Sequence, residues 1–278
     1  MIFALLALLG LSVFILTDDD DEPEAEATDA PPPEPVEMIS VAKFLGMEGD
    51  DTLVASDGDD KIVGDAGDDV LIAGDGDDLL VGGPGDDILA GGAGDDTMEG
   101  NQGDDLIFDE AGADEMNGGN GDDLIFGADI LDHAELVKTS AEQGTRTDPF
   151  SALDWEDAGE PDTISGGNGD DLMFLGANDH ATGGNGDDFY MVGDWVKDAG
   201  APPEVHDFSQ TPGNTDLVGY MKDMRDGPAQ IEVAQTLDGD SATVMESGTA
   251  VLTVNKAPGS LVQIDVFTLS VDMQAPAL

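Results

Sequence analysis

An all-β repeat protein is the fold class that the sequence predicts, and three observations predict it. From Gly46 to Phe126 the chain divides into nine consecutive nine-residue units without an insertion. Each unit ends in three residues, long enough only for a short strand whose middle side chain points opposite to its neighbours. One apolar residue in nine cannot make a core alone, so successive units must stack on one another.

The units start at Gly46, Ala55, Gly64, Ala73, Gly82, Gly91, Gly100, Asp109 and Gly118. Their fourth position is glycine throughout: Gly49, Gly58, Gly67, Gly76, Gly85, Gly94, Gly103, Gly112 and Gly121. Their sixth is aspartate throughout: Asp51, Asp60, Asp69, Asp78, Asp87, Asp96, Asp105, Asp114 and Asp123. The eighth is always aliphatic or Met: Leu53, Ile62, Leu71, Leu80, Leu89, Met98, Ile107, Met116 and Ile125. Glycine lets two loops stack closely, and aspartate offers the hard carboxylate oxygen that Ca²⁺ takes, with turn carbonyls to complete the shell. A solvated acidic turn would not demand aspartate nine times in register. The fifth-position acids, such as Asp68, Asp86 and Asp104, read instead as exposed charge that raises the local negative potential.

Composition points the same way. The 278 residues carry 63 acids against 8 bases, a net charge of −55, with 38 glycines and few aromatics. Nucleic acid is excluded as a partner, because phosphate binding needs a basic footprint. Such charge opposes compaction by self-repulsion, which leaves either a disordered acidic chain or a fold that collects cations. Zero cysteine removes disulfides, zinc–thiolate sites and thiol nucleophiles together, so metal is the natural substitute for a thin core.

The units Gly82-Gly83-Pro84-Gly85-Asp86-Asp87-Ile88-Leu89-Ala90 and Gly118-Gly119-Asn120-Gly121-Asp122-Asp123-Leu124-Ile125-Phe126 resemble the haemolysin-type RTX calcium-binding repeat. The resemblance implies a right-handed parallel β-roll, an RTX β-solenoid with two repeats per coil, and Ca²⁺ held between loops of successive coils. It assigns the carboxylate ligands to the sixth-position aspartates, with backbone carbonyls near Gly64, Gly82, Gly85, Gly91, Gly94, Gly100, Gly118, Gly166 and Gly183. Unit one departs from the pattern at Met47 and Glu48, and unit eight at Asp109, Glu110 and Ala113, which puts the sites there in doubt.

Two repeats per coil would place odd and even units on opposite sheets. The outward seventh and ninth positions of odd units are apolar, as in Val70/Ile72, Leu106/Phe108 and Leu124/Phe126. Those of even units turn polar, as in Thr97/Glu99 and Glu115/Asn117. After Phe126 the register breaks and then returns in Asp157–Ser165 with Asp162, Gly166–Phe174 with Asp171, the shortened Leu175–Thr182 with Asp179, and Gly183–Met191 with Asp188. Numbered ten to thirteen, these units keep the same parity, so one roll is expected across 42–194 with an excursion at 127–156. Asp162, Asp171 and Asp188 join the expected ligands, and the ion count comes to roughly nine from the intact loops. An apolar outer face this long should be covered by the excursion, by the C-terminal region, or by a protein or cell-surface partner. Within the excursion, Ile130, Ala134, Val137 and Ala141 fall on a helical stripe with Asp129 as its cap.

Residues 1–17 form an apolar run, shorter than the roughly 20 residues of a membrane helix, and read as an export signal or anchor. Any membrane contact is expected through that segment alone. Residues 18–41 are an acidic, proline-rich linker. Residues 195–278 are expected to form a C-terminal β cap carrying a secretion signal, with strands at Ile231–Leu237, Ala242–Met245, Thr249–Val254 and Leu261–Leu269. Val205-His206-Asp207-Phe208 and Pro212–Val218 resemble the segment that closes many RTX rolls.

No catalytic constellation is present in sequence. The only histidines, His133, His180 and His206, lie far apart, and neither a metalloprotease His pair nor a Gly-x-Ser-x-Gly elbow occurs. The reading is a secreted, extracellular or surface-anchored, non-catalytic calcium-binding protein whose repeats fold on Ca²⁺ into a rigid structural or adhesion module. The alternative is a non-catalytic remnant or accessory module of an RTX hydrolase, of protease or lipase class.

Overall fold

The computed structural model describes residues 43–128, 130–131, 154–155, 159–212, 214–223, 228–235, 241–256, 264 and 266–271. The apolar segment 1–17 and the linker 18–41 lie outside these residues, as do His133, Ala134, Val137 and Ala141.

The three-residue run that closes each unit is a strand, and each turn carries the chain to the opposite sheet. Two units therefore return it to the first sheet in the same direction, so the strands pair in parallel. Odd units supply β2 (Thr52–Val54), β4 (Val70–Asp75), β6 (Ile88–Ala93), β8 (Leu106–Phe108), β10 (Leu124–Phe126), β14 (Leu172–Phe174) and β16 (Phe189–Gly193), continued by β20 (Leu217–Asp223) and β24 (Val266–Val271). The other sheet runs β1 (Lys43–Leu45), β3 (Lys61–Val63), β5 (Leu79–Pro84), β7 (Thr97–Gln102), β9 (Glu115–Asn120), β13 (Thr163–Asn168) and β15 (His180–Asn185), then β17 (Glu204–Phe208), β23 (Thr249–Lys256), β22 (Ser241–Glu246) and β21 (Ile231–Gln235). Two small hairpins complete the strands, β11 (Ile130–Leu131) with β12 (Asp154–Trp155) and β18 (Gln210–Thr211) with β19 (Asn214–Thr215). The single helix among the described residues is the one-turn α1 (Val196–Ala199). The fold is thus nearly all-β, a parallel roll of the expected kind.

Register shows how the repeat becomes a core. Leu71 pairs with Leu89, and Leu80 with Met98, so like positions stack from coil to coil. Eighth-position side chains from both sheets meet between them: Ile62, Leu71, Leu80, Leu89, Met98 and Ile107 are wholly buried. Each contributes about 1.5–3 kcal/mol of transfer free energy, and each depends on its neighbours in the stack for that burial. Across the excursion Met116 pairs with Ile164 and Ile125 with Met173, so coils distant in sequence are adjacent in the sheets.

One expectation changes. Ile130 was assigned to a helical stripe, yet Ile130–Leu131 pairs antiparallel with Asp154–Trp155. The excursion leaves and rejoins neighbouring coils, so its two limbs lie side by side and pair there. At the C-terminus the strands extend both sheets, with β21 to β24 close to the four strands expected there. β23 pairs in parallel with β17, and β20 with β24. Within these sheets β23–β22–β21 is antiparallel, and β22 turns into β23 at Ser247-Gly248, whose positive φ values of 51° and 84° suit a tight hairpin.

The outer face of the odd sheet is buried along much of its length. Ala90, Phe108, Phe126, Phe174 and Met191, all ninth-position residues, are buried, and the Phe126 and Phe174 rings stack with centroids 4.6 Å apart. Val54, at the first coil, is exposed. The corresponding residues of the even sheet, Glu99 and Asn117, face solvent. Beyond the last repeat an ionic cluster joins the two sheets. Lys197 of α1 meets Asp194 and Glu246, the latter at 2.6 Å, while Lys222 lies 3.3 Å from Glu246 and 3.4 Å from Asp194. Tyr220 donates to Asp194 at 2.5 Å.

Candidate metal centres between coils

The sixth-position aspartates form a ladder along each edge of the roll. The backbone N–H of Asp69 donates to Asp87 Oδ1 at 2.8 Å, that of Asp87 to Asp105 Oδ1 at 2.8 Å, and that of Asp105 to Asp123 Oδ1 at 2.8 Å. On the even side Asp60 donates to Asp78 at 2.6 Å, Asp78 to Asp96 at 2.7 Å and Asp96 to Asp114 at 2.7 Å. The ladders cross the excursion without a break, Asp114 donating to Asp162 at 3.0 Å and Asp123 to Asp171 at 2.9 Å. One carboxylate oxygen therefore fixes the side chain against the preceding coil.

The other oxygen is the one that matters chemically. In Asp69, Asp78, Asp87, Asp96, Asp105, Asp171 and Asp188, Oδ2 is buried with no hydrogen-bond partner. A buried acceptor left this way costs free energy, and it recurs here at seven positions along the roll. Except at Asp78, whose unit opens on the buried Ala73, each of these oxygens lies against a first-position glycine where a Cβ would collide. A Cβ on Gly82 would overlap Asp87 Oδ2, and one on Gly100 would overlap Asp105 Oδ2 and stand 2.7 Å from the carbonyl oxygen of Gly118. Gly64, Gly118, Gly166 and Gly183 stand in the same relation to Asp69, Asp123, Asp171 and Asp188, and Gly91 to Asp96. Gly85 and Gly94 stack over the carbonyls of Gly67 and Gly76 of the preceding coil. Gly85 has φ +144°, a conformation a side chain rarely takes.

The nearest polar atoms around these glycines are carboxylate and carbonyl oxygens, joined at Gly183 by the Tyr190 hydroxyl. Burial pushes the carboxyls up, Asp188 to about 6, Asp87 and Asp171 to about 7 and Asp105 to about 8, with neighbouring aspartate charge adding to the effect. An oxygen-rich seat that holds its acids at such values suits a hard cation and no organic ligand. The donor set fits Ca²⁺.

The ends of the ladders differ from the middle. At Asp51 it is Oδ2 that is engaged, accepting the Met47 N–H at 2.8 Å. At the far end Asp216 accepts the Asp188 N–H at 3.4 Å and the Ser209 N–H at 2.6 Å. Asp207 accepts the N–H groups of Gly183 and Gly184 at 3.1 and 2.9 Å. Asp179 belongs to the ladder too, accepting from Asp162 at 3.1 Å and, through Oδ2, from Gly176 at 2.6 Å. Neither Asp179 nor Asp216 stands among the expected ligands. Asp216-Leu217-Val218 nevertheless keeps the sixth-to-eighth pattern, which is the signal that would have placed it in the column.

Unit eight departs from the repeat in a way that adds an acid to the ladder. Asp109 replaces the first-position glycine, the departure that put the site there in doubt. Its side chain is buried, accepts the Gly92 N–H at 2.8 Å, and brings its carboxylate within 4.8 Å of those of Asp96 and Asp114. Burial first, and then the Asp114 charge, push the Asp109 carboxyl far above its ordinary value. Three acids converge here, the one all-carboxylate cluster of three among the described residues.

The fifth-position acids are exposed, as expected, but they are more than free charge. Asp68 accepts the Asp86 N–H at 3.0 Å, Asp86 that of Asp104 at 2.8 Å, and Asp104 that of Asp122 at 2.9 Å. This outer ladder runs in the opposite sense to the inner one, so each loop is tied to the coil before it and the coil after it.

Residues 45–80, 72–107, 99–129 and 159–178 match the family model of the RTX calcium-binding nonapeptide repeat in four copies. No curated protein matches the chain.

Proposed function

The chain carries RTX calcium-binding nonapeptide repeats between residues 45 and 129 and at 159–178, and from that premise we propose an exported protein whose repeat region folds when Ca²⁺ enters the seats between successive loops. The observation that carries this reading is the column of buried Oδ2 atoms without partners, most of them set against first-position glycines with carbonyl oxygens close by. Asp69, Asp87, Asp105, Asp123, Asp171 and Asp188 would hold ions on the odd side, and Asp78, Asp96 and Asp114 on the even side, with carbonyls of the loop glycines. Bound Ca²⁺ supplies the positive charge that the seats lack; roughly nine ions would bring −55 to about −37.

Extracellular calcium modules bind at about 10⁻⁴ to 10⁻³ M, so cytosolic Ca²⁺ would leave the repeats unfolded and external Ca²⁺ would set them. The apolar segment 1–17 would serve as signal or anchor and the C-terminal strands as part of the export determinant. The product is a rigid, non-catalytic module at or outside the cell surface, in a structural or adhesive role. Circular dichroism and small-angle scattering during a Ca²⁺ titration test this. At pH 8 a transition from expanded chain to compact β-structure is expected, and a compact β-rich chain in excess chelator at that pH would refute it.

A further inference from the structure

Two of the three histidines, twenty-six residues apart in sequence, meet on the outer face of the even sheet. His180 opens β15 and pairs across the sheet with Glu204, which opens β17. His206 follows Glu204 by two residues, and buried Val205 between them leaves both on the outward face. His180 Nδ1 and His206 Nε2 are 3.0 Å apart, the rings stack with centroids at 5.2 Å, and one carboxylate oxygen of Glu204 lies within 4.8 Å of a ring nitrogen of each.

We propose that His180, His206 and Glu204 form a second class of metal site, for a divalent transition-metal ion of the Zn²⁺ type, distinct from the oxygen seats between the coils. Imidazole nitrogen suits Zn²⁺, Cu²⁺ and Ni²⁺, whereas Ca²⁺ takes oxygen ligands alone. Two nitrogens each about 2.0–2.1 Å from one ion stand about 2.9–3.4 Å apart at bond angles of 90–110°. The observed 3.0 Å falls in that range with both rings already facing one another. Neighbouring strands of the parallel sheet hold the ligands, so the site forms only in the folded roll. Its remaining coordination positions open outward, and the net negative charge of the chain favours cation capture. The competing account of the 3.0 Å contact is an N–H···N hydrogen bond between two neutral rings, which calls for no metal.

The test uses the full chain with Ca²⁺ in excess and about 0.15 M salt, so that the aspartate seats are filled and the surface field is screened. Zn²⁺ alone is titrated by calorimetry. One saturable Zn²⁺ per chain is expected, weakened about tenfold or more in His180→Ala and in His206→Gln, the latter keeping a hydrogen-bonding side chain. The Ca²⁺-dependent circular dichroism of the same samples is expected to be unchanged, which separates this site from the calcium reading. Absence of saturable Zn²⁺ binding, or equal affinity in both variants, would overturn the proposal and leave the pair as a hydrogen bond. A loss of Zn²⁺ binding matched by a loss of the calcium-dependent fold in both variants would overturn it as well.

Discussion

Asp86 and Asp87 are chemically identical neighbours with different work, because one faces solvent and the other faces the seat beside Gly82. Asp87→Ala removes an oxygen from that seat together with the acceptor for the Asp69 N–H, so the Ca²⁺ midpoint of folding should rise severalfold with loss of at least one bound ion. Asp86→Ala removes only an exposed acceptor for the Asp104 N–H and should cost about 0.5–1.5 kcal/mol with the ion count unchanged. Equilibrium dialysis alongside the folding titration separates the two; equal effects would mean that the inner and outer ladders are not distinct. Asp109→Gly restores the repeat pattern yet should weaken calcium binding at the Asp96–Asp114 seat, because ligand charge count sets affinity in such sites. Unchanged binding in that variant would place Asp109 outside the seat. The inner aspartates were legible in the sequence because their position never varies through nine units. Asp109 was not, since a break in a pattern reads as loss until the side chain is seen to point inward. The His180–His206 contact was equally hidden, as it depends on strand pairing between two segments that share no repeat register.

Strands and sheets depend on the period more than on any single residue. The parity of outward side chains, apolar in odd units and polar in even ones, anticipates the two sheets, and the strands at both ends of the excursion pair in the register that parity requires. What the period could not carry is the region beyond Met191, where spacing between like strands becomes irregular and parallel β17–β23 pairing brings together residues forty-nine apart, as in Glu204 with Thr253. The outer face of the odd sheet supplies a test at this scale. Phe174 is wholly buried there and stacked on Phe126, so Phe174→Ala should destabilise the calcium-loaded protein by about 3–5 kcal/mol. Val54, at the same position of the first unit, is 57% exposed, and Val54→Ala should stay within about 0.5 kcal/mol. Denaturant midpoints in saturating Ca²⁺ measure both. A Phe174→Ala protein as stable as the parent would mean that this face is not part of the core.

At the scale of the whole molecule, the seats make protons and calcium competitors for the same fold. Burial raises Asp188 to about 6, Asp87, Asp171 and Asp216 to about 7, and Asp105 to about 8, against ordinary carboxyl values near 4 in an open chain. A carboxyl raised in the folded state stabilises that state fully below its unfolded value, and the contribution is lost as pH rises through the folded value. In excess chelator the roll should therefore be most stable near pH 4 and lose that stability between about pH 6 and 8, while the unneutralised charge adds repulsion in the same direction. Calcium reverses the dependence, because each ion must displace protons before it can seat. The apparent Ca²⁺ affinity should rise between pH 6 and 8, with protons released on binding near pH 6.5. Calorimetry in two buffers of different ionisation enthalpy reads that release directly. No proton release, together with a chelated chain as expanded at pH 5 as at pH 8, would mean that the inner carboxylates are already ionised and solvated before calcium arrives, and the seats would then form only around the ion.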